Sequence, residues 1–475
     1  TGLTLALWQY DVARAQAHRA EQVKNFLTSL FEQADPVVAG EQEVTLREIV
    51  DDAAGRLETE LQDTPEVRAE LAQLIGNAYF GIGDFDKALE LHQRALSQWQ
   101  SDNSGPSLKI VRALNAVGMD YSRRGEYGKA EALHREAIDQ LESLGLSESI
   151  DAADSWTQLG AALVQPSPAQ AREAMLRAHE INLRVRPENK SALARSLGNV
   201  AAGYRAERNI EESARYHEQA LSVADTNNER LAPEVLAIRC NLALDYGTLG
   251  RHEQALAAQR QCNDMTVERF GFDHPSNVPN LNNLGALDLR MGNLIEAEQT
   301  YLEALRIAES KLPAMSLDRM AAEINYSVVL WHSGRSAMAE DRLRDLLPRM
   351  EASLGAEHPA SGRVRSLLGR VILDRGDAET AKRFIENSLK GLTPYWRSDA
   401  LLWLAEANLA LQQPSVATKL SRESLELRQS IPHFTDWQVS EPRYVLAAAT
   451  NDQKLLEDVK RIFARALPQS HFRRK

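Results

Sequence analysis

Glycine, proline, cysteine and aromatic residues are all scarce in this sequence of 475 residues. It contains 25 Gly, 17 Pro and 2 Cys, and Phe, Trp and Tyr together make up 6% of it. Two cysteines exclude a disulfide framework or a cysteine-rich zinc module. No run approaches the roughly 18 consecutive apolar residues that a complete membrane helix needs. The net charge of −12 argues against wholesale nucleic-acid binding, which requires a basic surface.

The residues that are abundant favour helix and a large core. Hydrophobic residues make up 43% of the chain and charged residues 26%. That apolar content is too high for a disordered chain. The length alone predicts about three domains at roughly 150 residues each. An internal repeat changes that expectation to one long array.

A motif with a period of 42 residues runs through most of the chain. Each unit has a small residue in a first amphipathic segment, then a turn, then a second amphipathic segment that opens on Ala or Ser. The small residues are Gly76, Gly118, Gly160, Ala201, Ala243, Gly285, Ser327, Gly369 and Ala405. The steps between them are 42, 42, 41, 42, 42, 42, 42 and 36 residues. The single step of 41 predicts that one residue is missing near Pro166 and Pro168.

A recurrent glycine predicts how the first segment of each unit ends. A glycine in the left-handed conformation is a common helix terminator. Six units carry a glycine in the turn: Gly83, Gly125, Gly250, Gly292, Gly334 and Gly376. No alternating strand pattern competes with the helical one. We therefore predict an all-α fold built from helix–turn–helix units.

The repeated motif resembles the tetratricopeptide repeat (TPR). In the first unit the motif residues are Ile75, Gly76, Tyr79, Gly83, Phe85, Ala88 and Ala95. The usual repeat has 34 residues. The longer period, with a Gly-x-x-His-Pro lead-in at residues 271–275 and 355–359, is similar to the kinesin-light-chain-like variant. The resemblance implies a right-handed superhelical solenoid of about nine repeats over residues 65–430, followed by capping helices over residues 431–475.

The N-terminal segment carries a second resemblance. The apolar start and the following run, which includes Ala34-Asp35-Pro36, are similar to the segment after the membrane helix in bacterial transmembrane Ser/Thr kinases with C-terminal TPRs. The resemblance implies that residues 1–10 end a transmembrane helix and that residues 11–64 form juxtamembrane linker helices. The repeats would then be the periplasmic sensor region of a kinase anchored in the inner membrane. The alternative is a soluble cytoplasmic scaffold or regulator without a kinase.

The same N-terminal segment could also pair two copies of the chain. Val12, Val23, Phe26 and Leu30 fit the apolar spacing of a short coiled coil, although Gln16 and Arg19 interrupt it. This pattern suggests a homodimer through residues 12–31.

Catalytic and metal-binding motifs are absent from the sequence. It has no glycine-rich nucleotide loop, Walker loop, HExxH, CxxC or Gly-x-Ser-x-Gly motif, so we expect neither catalysis nor a cofactor from this chain. His92, His134 and His217 recur at one repeat position, and we interpret them as packing residues. Cys240 and Cys262 lie on the two helices of one unit. Two free buried thiols are favoured, and a disulfide is conceivable outside the cytoplasm.

The first helix of each repeat is expected to line a concave, ligand-binding wall. An Asn recurs two residues before the small residue in four consecutive units, at Asn199, Asn241, Asn283 and Asn325. Because Asn is a mediocre helix former, its recurrence needs a cause. In kinesin-light-chain-like repeats such an Asn ladder holds the main chain of a peptide. The alternative is a consensus residue that bonds to a neighbouring helix.

Arginine outnumbers the acids among the other residues expected on this wall. The arginines are Arg112, Arg123, Arg195, Arg205, Arg290, Arg363 and Arg370, and the acids are Glu70, Asp154, Asp374, Asp399 and Glu406. Since Arg pairs well with carboxylates, we predict a protein or peptide ligand with acidic character. Phe80 and Trp331 are candidate apolar anchors. The alternative is an ordinary solvated groove with scattered charges.

Overall fold

The computed structural model describes residues 45–60, 64–102, 105–224, 232–431 and 436–466, together with Arg14, residues 21–26 and Thr28. Within these residues the chain is helical and contains no strand. It divides into two compact units, residues 1–227 (unit 1) and residues 228–475 (unit 2). The prediction of an all-α fold is confirmed in both units.

From residue 45 onward, the described part of unit 1 contains nine helices. The first precedes the repeats, and the other eight form four hairpins in which each helix packs on the next. Their bounds are α1 Leu46–Glu60, α2 Pro65–Gly81, α3 Phe85–Asp102, α4 Leu108–Arg123, α5 Tyr127–Ser143, α6 Ile150–Leu163, α7 Pro168–Val185, α8 Lys190–Ala206 and α9 Ile210–Ala224.

Unit 2 contains twelve helices within its described residues. They form six hairpins, and each helix again packs on the next. Their bounds are α10 Pro233–Thr248, α11 His252–Phe270, α12 Asn277–Met291, α13 Leu294–Lys311, α14 Leu317–His332, α15 Ser336–Leu354, α16 Pro359–Asp374, α17 Ala378–Ser388, α18 Pro394–Ala410, α19 Pro414–Ser430, α20 Asp436–Thr450 and α21 Gln453–Ala466. We call the first helix of each hairpin its A helix and the second its B helix.

The turns within the hairpins follow the glycine pattern. All six predicted turn glycines have positive φ, between 73° at Gly250 and 96° at Gly376. In the fourth and ninth repeats, which lack this glycine, Arg208 (φ 63°) and Gln412 (φ 58°) adopt the same conformation, whereas the third turn contains no residue with positive φ. A left-handed residue lets the chain reverse direction and satisfies the last carbonyls of the A helix. The turn geometry is therefore kept even where an L side chain must adopt a conformation that favours glycine.

The two departures from the 42-residue period have structural causes. In the third hairpin the A helix α6 ends at Leu163, three residues after Gly160, whereas α2 and α4 continue for five residues after Gly76 and Gly118. The turn before α7 is one residue longer than in the other hairpins of unit 1, so this hairpin is one residue shorter in total. In the eighth hairpin the B helix α17 has only 11 residues, whereas the B helix α15 before it has 19. The short helix accounts for the last step of 36 residues.

In the five repeats that have Gly as the small residue of the A helix, this glycine makes room for one large side chain of its own B helix. A Cβ atom on Gly76 would lie 2.5 Å from the His92 ring, and one on Gly285 would lie 2.7 Å from Cζ of Tyr301. The B-helix residue at this position is buried in every repeat: His92, His134, Met175, His217, Gln259, Tyr301, Leu343, Ile385 and Ser421. The interpretation of the three histidines as packing residues is confirmed.

The expectation of two free thiols is wrong. Cys240 on α10 and Cys262 on α11 form a disulfide that joins the A and B helices of the first hairpin of unit 2. Their Cα atoms are 5.3 Å apart, within the ordinary range for a bridge. The sequence placed both cysteines on one hairpin, but the facing of their side chains depends on how the two helices pack.

Only some of the residues in the N-terminal predictions belong to the described part of the chain. Residues 1–10, the expected end of a membrane helix, lie outside the described residues, as do Val12 and Leu30 of the expected coiled coil. Phe26 is only 5% exposed and packs with Val50, Ala53 and Leu57 of α1 in the core of its own chain. It is therefore not available as a dimer contact. No helix in the described ranges is long and apolar enough to cross a membrane.

Candidate ligand-binding cavity

Five A helices of unit 2, from α12 to α20, form one continuous layer. Each contacts the A helix of the next hairpin, from α12 to α14, α16, α18 and α20. The B helices pack on them and are connected by the turns described above. Side chains that point away from the B helices consequently share one face, which is the face that the sequence analysis assigned to ligand binding.

A cavity of about 470 Å³ opens on this face. Its size falls in the range of small-molecule and cofactor sites, roughly 300–1,000 Å³. Four A helices contribute most of the lining, and α19 and α20 close one side. The polar and aromatic lining residues are Arg290, Tyr301, Asn325, Trp331, His332, Arg363, Ser366, Arg370, Asp374, Tyr395, Trp396, Asp399, Trp403, Arg428, Gln438 and Glu441.

The aromatic residues that line the cavity form a surface that we call the aromatic wall. Trp331 belongs to it, and Arg370 lies against the Trp331 ring. The rings of Trp331 and Trp403 meet edge to face with their centroids 6.1 Å apart. The Arg370 guanidinium lies 5.4 Å from the centroid of the Trp331 ring, and the indole Nε1 of Trp331 donates a 2.6 Å hydrogen bond to Asp374. Because the indole nitrogen is occupied, Trp331 offers mainly apolar surface to the cavity.

Two of the lining arginines are neutralised by carboxylates. Arg370 is 7% exposed and pairs with Asp374 at 2.7 Å and Glu406 at 2.6 Å. Arg428 is 3% exposed and pairs with Asp399 at 2.6 Å and Glu441 at 2.7 Å. A buried charge requires such partners. Each of these arginines serves two carboxylates, so each cluster carries an excess negative charge when all its carboxylates are ionised.

Arg363 and Arg290 differ from the other two. Within the described part of the chain, neither has a carboxylate oxygen within 4.0 Å. Arg363 donates a 3.3 Å hydrogen bond to Oδ1 of Asn325 and lies over the Trp396 ring at 5.2 Å. Arg290 is exposed and donates only a weak 3.4 Å bond to the Gly247 carbonyl. Burial lowers the pKa of Arg363, because the charged form is disfavoured where solvent is excluded.

Tyr301 brings a hydroxyl to the same cavity. It is the large B-helix residue whose ring packs against Gly285, and only 1% of the residue is exposed. Its hydroxyl makes no hydrogen bond to any described residue, although the residue lines the cavity. Burial raises the pKa of Tyr301, so the group stays protonated and remains a donor at neutral pH.

Asp399 is a cavity carboxyl whose pKa is raised. Burial raises its pKa to about 6, against the opposing effect of Arg428 and with a further rise caused by Glu441. Its Oδ1 accepts from Arg428, and its Oδ2 makes no hydrogen bond to the described residues. Asp399 is therefore ionised at neutral pH and has one carboxylate oxygen left for a ligand.

Three of the ten predicted groove residues meet in this cavity, namely Arg290, Asn325 and Trp331. Arg363, Arg370, Asp374 and Asp399, which the sequence analysis also placed on the wall, line it as well. Asn241 on α10 and Asn283 on α12 lie in the same unit outside the cavity lining. The cavity therefore collects predicted wall residues from four repeats.

The other predicted groove residues lie on A helices of unit 1. Arg112 and Arg123 are on α4, and Arg195, Asn199 and Arg205 are on α8. Arg112 pairs with Asp151 at 2.9 Å, and Arg123 lies 5.5 Å from the centroid of the Phe80 ring. Part of the arginine excess expected on the wall is thus already satisfied within the chain.

The Asn ladder behaves differently from repeat to repeat. Asn325 accepts a hydrogen bond from Arg363 on the next A helix, which is the alternative that the sequence left open. The side chains of Asn199 and Asn283 are partly exposed and make no hydrogen bond to the described residues. A role in ligand binding therefore stays a prediction for these two.

Sequence reasoning missed nine of the sixteen polar and aromatic side chains that line the cavity, among them Tyr301, Trp396, Trp403, Arg428 and Glu441. A signal existed for Trp403, because it stands two residues before Ala405, at the ladder position of the ninth repeat. Tyr301 and Arg428 come from B helices, and Glu441 comes from the helix after the last repeat. A search restricted to A helices could not find them.

Comparison with known proteins identifies the repeats. A model of the tetratricopeptide repeat family matches residues 68–143 and 234–310. No curated protein matches the sequence significantly. The chain therefore carries tetratricopeptide repeats, which form a scaffold for protein binding.

Solved structures share the fold at low sequence identity. The apo form of RapI is 14% identical, with a TM-score of 0.58 over 76% of this chain and 97% of that one. A Rap protein complexed with competence and sporulation factor is also 14% identical, with a TM-score of 0.50 over 76% and 98% of the two chains. BtubC from P. vanneervenii is 18% identical, with a TM-score of 0.45 over 49% and 94%. The likeness to the two Rap structures supports the TPR solenoid as the fold.

Proposed function

We propose that this chain is the ligand-recognition region of a membrane-anchored bacterial Ser/Thr kinase. In this proposal the TPRs bind a protein or peptide outside the cytoplasm and signal its presence to a kinase domain on the other side of the membrane. The resemblance of residues 1–69 to the segment that follows the membrane helix in such kinases supports the connection of the repeats to a membrane-anchored kinase. The Cys240–Cys262 disulfide supports a periplasmic location, because disulfides persist mainly in oxidising compartments.

Protein binding is carried by the accessible face of the A helices in unit 2. Asn283 presents an amide there that no described residue engages, and an amide can both donate to and accept from a peptide backbone. The Rap protein with the related fold was solved as a complex with competence and sporulation factor. That complex is a precedent for ligand capture by a fold of this kind.

A cross-linking pull-down tests this function. The purified chain is exposed to periplasmic extract, and captured proteins are quantified by mass spectrometry for wild type and for Asn241→Ala/Asn283→Ala. We expect at least a tenfold loss of the specific partner in the double variant, at roughly 1 kcal/mol or more for each lost amide contact. Asn387→Ala on the B helix α17 is the matched control. Equal recovery by both variants would contradict binding on this face.

The location and the kinase link are tested separately. The reading frame upstream of residue 1 should encode a membrane helix preceded by a kinase domain. A start codon immediately before residue 1 would refute the proposal that this chain belongs to a receptor kinase. In intact cells, Cys240 and Cys262 should resist thiol labelling until a reductant is added. Ready labelling without a reductant would instead favour a cytoplasmic scaffold.

A further inference from the structure

Two opposite charges face the cavity without touching. Arg363 and Asp399 both line it, and each influences the titration of the other. Yet no nitrogen of Arg363 lies within 4.0 Å of a carboxylate oxygen in the described part of the chain. Opposite charges that line one cavity and remain apart leave room for a ligand that satisfies both.

The Arg363 side of the space between these two charges contains several hydrogen-bond donors. Among the described residues, Arg363 has a single hydrogen bond, to Oδ1 of Asn325, and the amide nitrogen of Asn325 has no partner. The hydroxyl of Tyr301 has no hydrogen bond within the described ranges. A guanidinium, an amide and a hydroxyl that converge on one space suit a carboxylate, which accepts several hydrogen bonds on two oxygens.

The negative side is the Asp399–Glu441 pair around Arg428. Two carboxylates share this one guanidinium at 2.6 and 2.7 Å, so the cluster carries one excess negative charge when both are ionised. Oδ2 of Asp399 has no hydrogen-bond partner among the described residues. An ammonium group would supply both the missing donor and the missing positive charge.

The remaining lining is aromatic and limits the size of a ligand. Trp396, Trp403 and Tyr395 lie beside these charges, and α20 contributes Gln438 and Glu441. A volume of about 470 Å³ suits a small molecule that buries most of its surface better than it suits an extended protein segment.

We propose that this cavity binds an amino-acid-sized zwitterion, with its carboxylate on Arg363, Asn325 and Tyr301 and its ammonium on Asp399. The aromatic wall holds the side chain of the ligand. This site goes beyond the protein binding proposed above and does not depend on it, since Asn241 and Asn283 lie outside the cavity. The chain would then read a free amino acid, or a dipeptide of similar size, as a chemical signal.

Isothermal titration of the full chain with L-amino acids, first pooled and then individually, tests the proposal. A bound amino acid is compared with its N-acetyl derivative and its carboxamide, each of which lacks one of the two charges. We expect both derivatives to bind at least tenfold more weakly, because each leaves a charged group of the protein without its partner.

Two variants connect the binding to the named residues. Arg363→Gln should weaken binding at least tenfold, and Tyr301→Phe should weaken it severalfold while it keeps the ring that packs on Gly285. Arg383→Gln, on the exposed side of α17, should leave the affinity unchanged. Circular dichroism and thermal melting confirm that the variants are folded. Because Tyr301→Phe preserves packing, it still tests the site if Arg363→Gln does not fold.

Four outcomes would overturn the proposal. The first is no binding of any amino acid at concentrations on the order of 10 mM, where even weak sites are occupied. The second is equal binding of the N-acetyl derivative, which would indicate a simple anion site. The third is equal binding of the carboxamide, which would indicate a simple cation site. The fourth is an unchanged affinity in both Arg363→Gln and Tyr301→Phe, which would place the binding elsewhere.

Discussion

Gly118 and His134 occupy complementary positions in the second hairpin. A Cβ atom on Gly118 would lie 2.6 Å from Cε1 of the His134 ring and 2.8 Å from its Nε2. The ring is fully buried, and its Nδ1 lies 2.9 Å from Oδ1 of Asn115. The glycine is thus required by a side chain of the partner helix, and the same relationship recurs through the repeats.

Gly118→Ala should lower the free energy of unfolding by about 1–3 kcal/mol, because the added methyl group overlaps a ring that cannot move within a packed core. Gly128→Ala in the same hairpin is the control, since Gly128 is helical and exposed and has open space around its Cβ position. That change should leave stability unchanged or raise it by up to about 1 kcal/mol. Urea titration of both variants measures the difference. Equal effects would show that the Gly118 site tolerates a methyl group.

His134 should make unit 1 less stable in acid. Burial lowers its pKa to about 4 from the usual 6.5, so the folded state binds this proton more weakly than the unfolded state does. The stability contributed by neutral His134 is present above pH 6.5 and is lost as the pH falls through 4. The loss amounts to about 3 kcal/mol for a shift of this size.

The variant His134→Gln isolates this effect, because Gln does not titrate and Gln259 occupies the same position in the fifth repeat. Unfolding free energies measured between pH 7 and pH 4 should fall less in the variant than in the wild type. Parallel pH curves for the two proteins would refute the assignment.

Reduction of Cys240–Cys262 should destabilise unit 2. The bridge closes a segment with a sequence separation of 22 residues. Constraining the unfolded chain over such a loop contributes about 3 kcal/mol in the chain-entropy model. Thermal melting of Cys240→Ala/Cys262→Ala should show this loss without reductant, and reductant should have no further effect on it. An unchanged melting temperature in the wild type after complete reduction would contradict the expectation.

Arg428→Gln should lower the free energy of unfolding strongly at neutral pH and less strongly in acid. The substitution leaves the Asp399 and Glu441 carboxylates without their guanidinium, a loss of about 3–5 kcal/mol for a buried pair. The pKa of Asp399 is about 6 with Arg428 in place and should rise further without it. At pH 5 Asp399 is then protonated, so the cost becomes smaller.

Denaturant titrations at pH 7.5 and pH 5 measure this difference. Arg422→Gln on the same helix is the control, because Arg422 is exposed and should change stability by less than about 0.5 kcal/mol. A cost for Arg428→Gln that does not depend on pH would show that the protonation of Asp399 plays no part.

The local features of the fold could be predicted because their causes are local. A left-handed turn requires Gly or a residue that tolerates positive φ, and this marked the ends of the A helices at six of the turns. A missing residue in the third unit appeared in the sequence as a step of 41 and in the structure as an earlier end of the A helix α6, at Leu163. Such signals depend on residues that are close in the chain, so they can be recognised in the sequence without knowledge of the packing.

The site was predicted only in part, because its chemistry depends on pairs from different repeats. Position within the repeat placed Arg363 and Arg370 on one wall, yet it could not distinguish them. Arg370 is neutralised by Asp374 and Glu406, whereas in the described part of the chain Arg363 contacts Asn325 and the Trp396 ring but no carboxylate. Arg428 reaches the same cavity from a B helix, which the repeat pattern assigns to the opposite side.

The sequence by itself determined the helical repeat, its period and the glycine turns within it, because helix periodicity and turn chemistry act over a few residues. Only the tertiary structure decided that Cys240 meets Cys262, that Tyr301 lines a cavity, and that Arg363 and Asp399 face this cavity without pairing with each other. Those facts depend on the contact of neighbouring helices, where a shift of a few ångströms decides whether two charges form an ion pair or leave a site for a ligand.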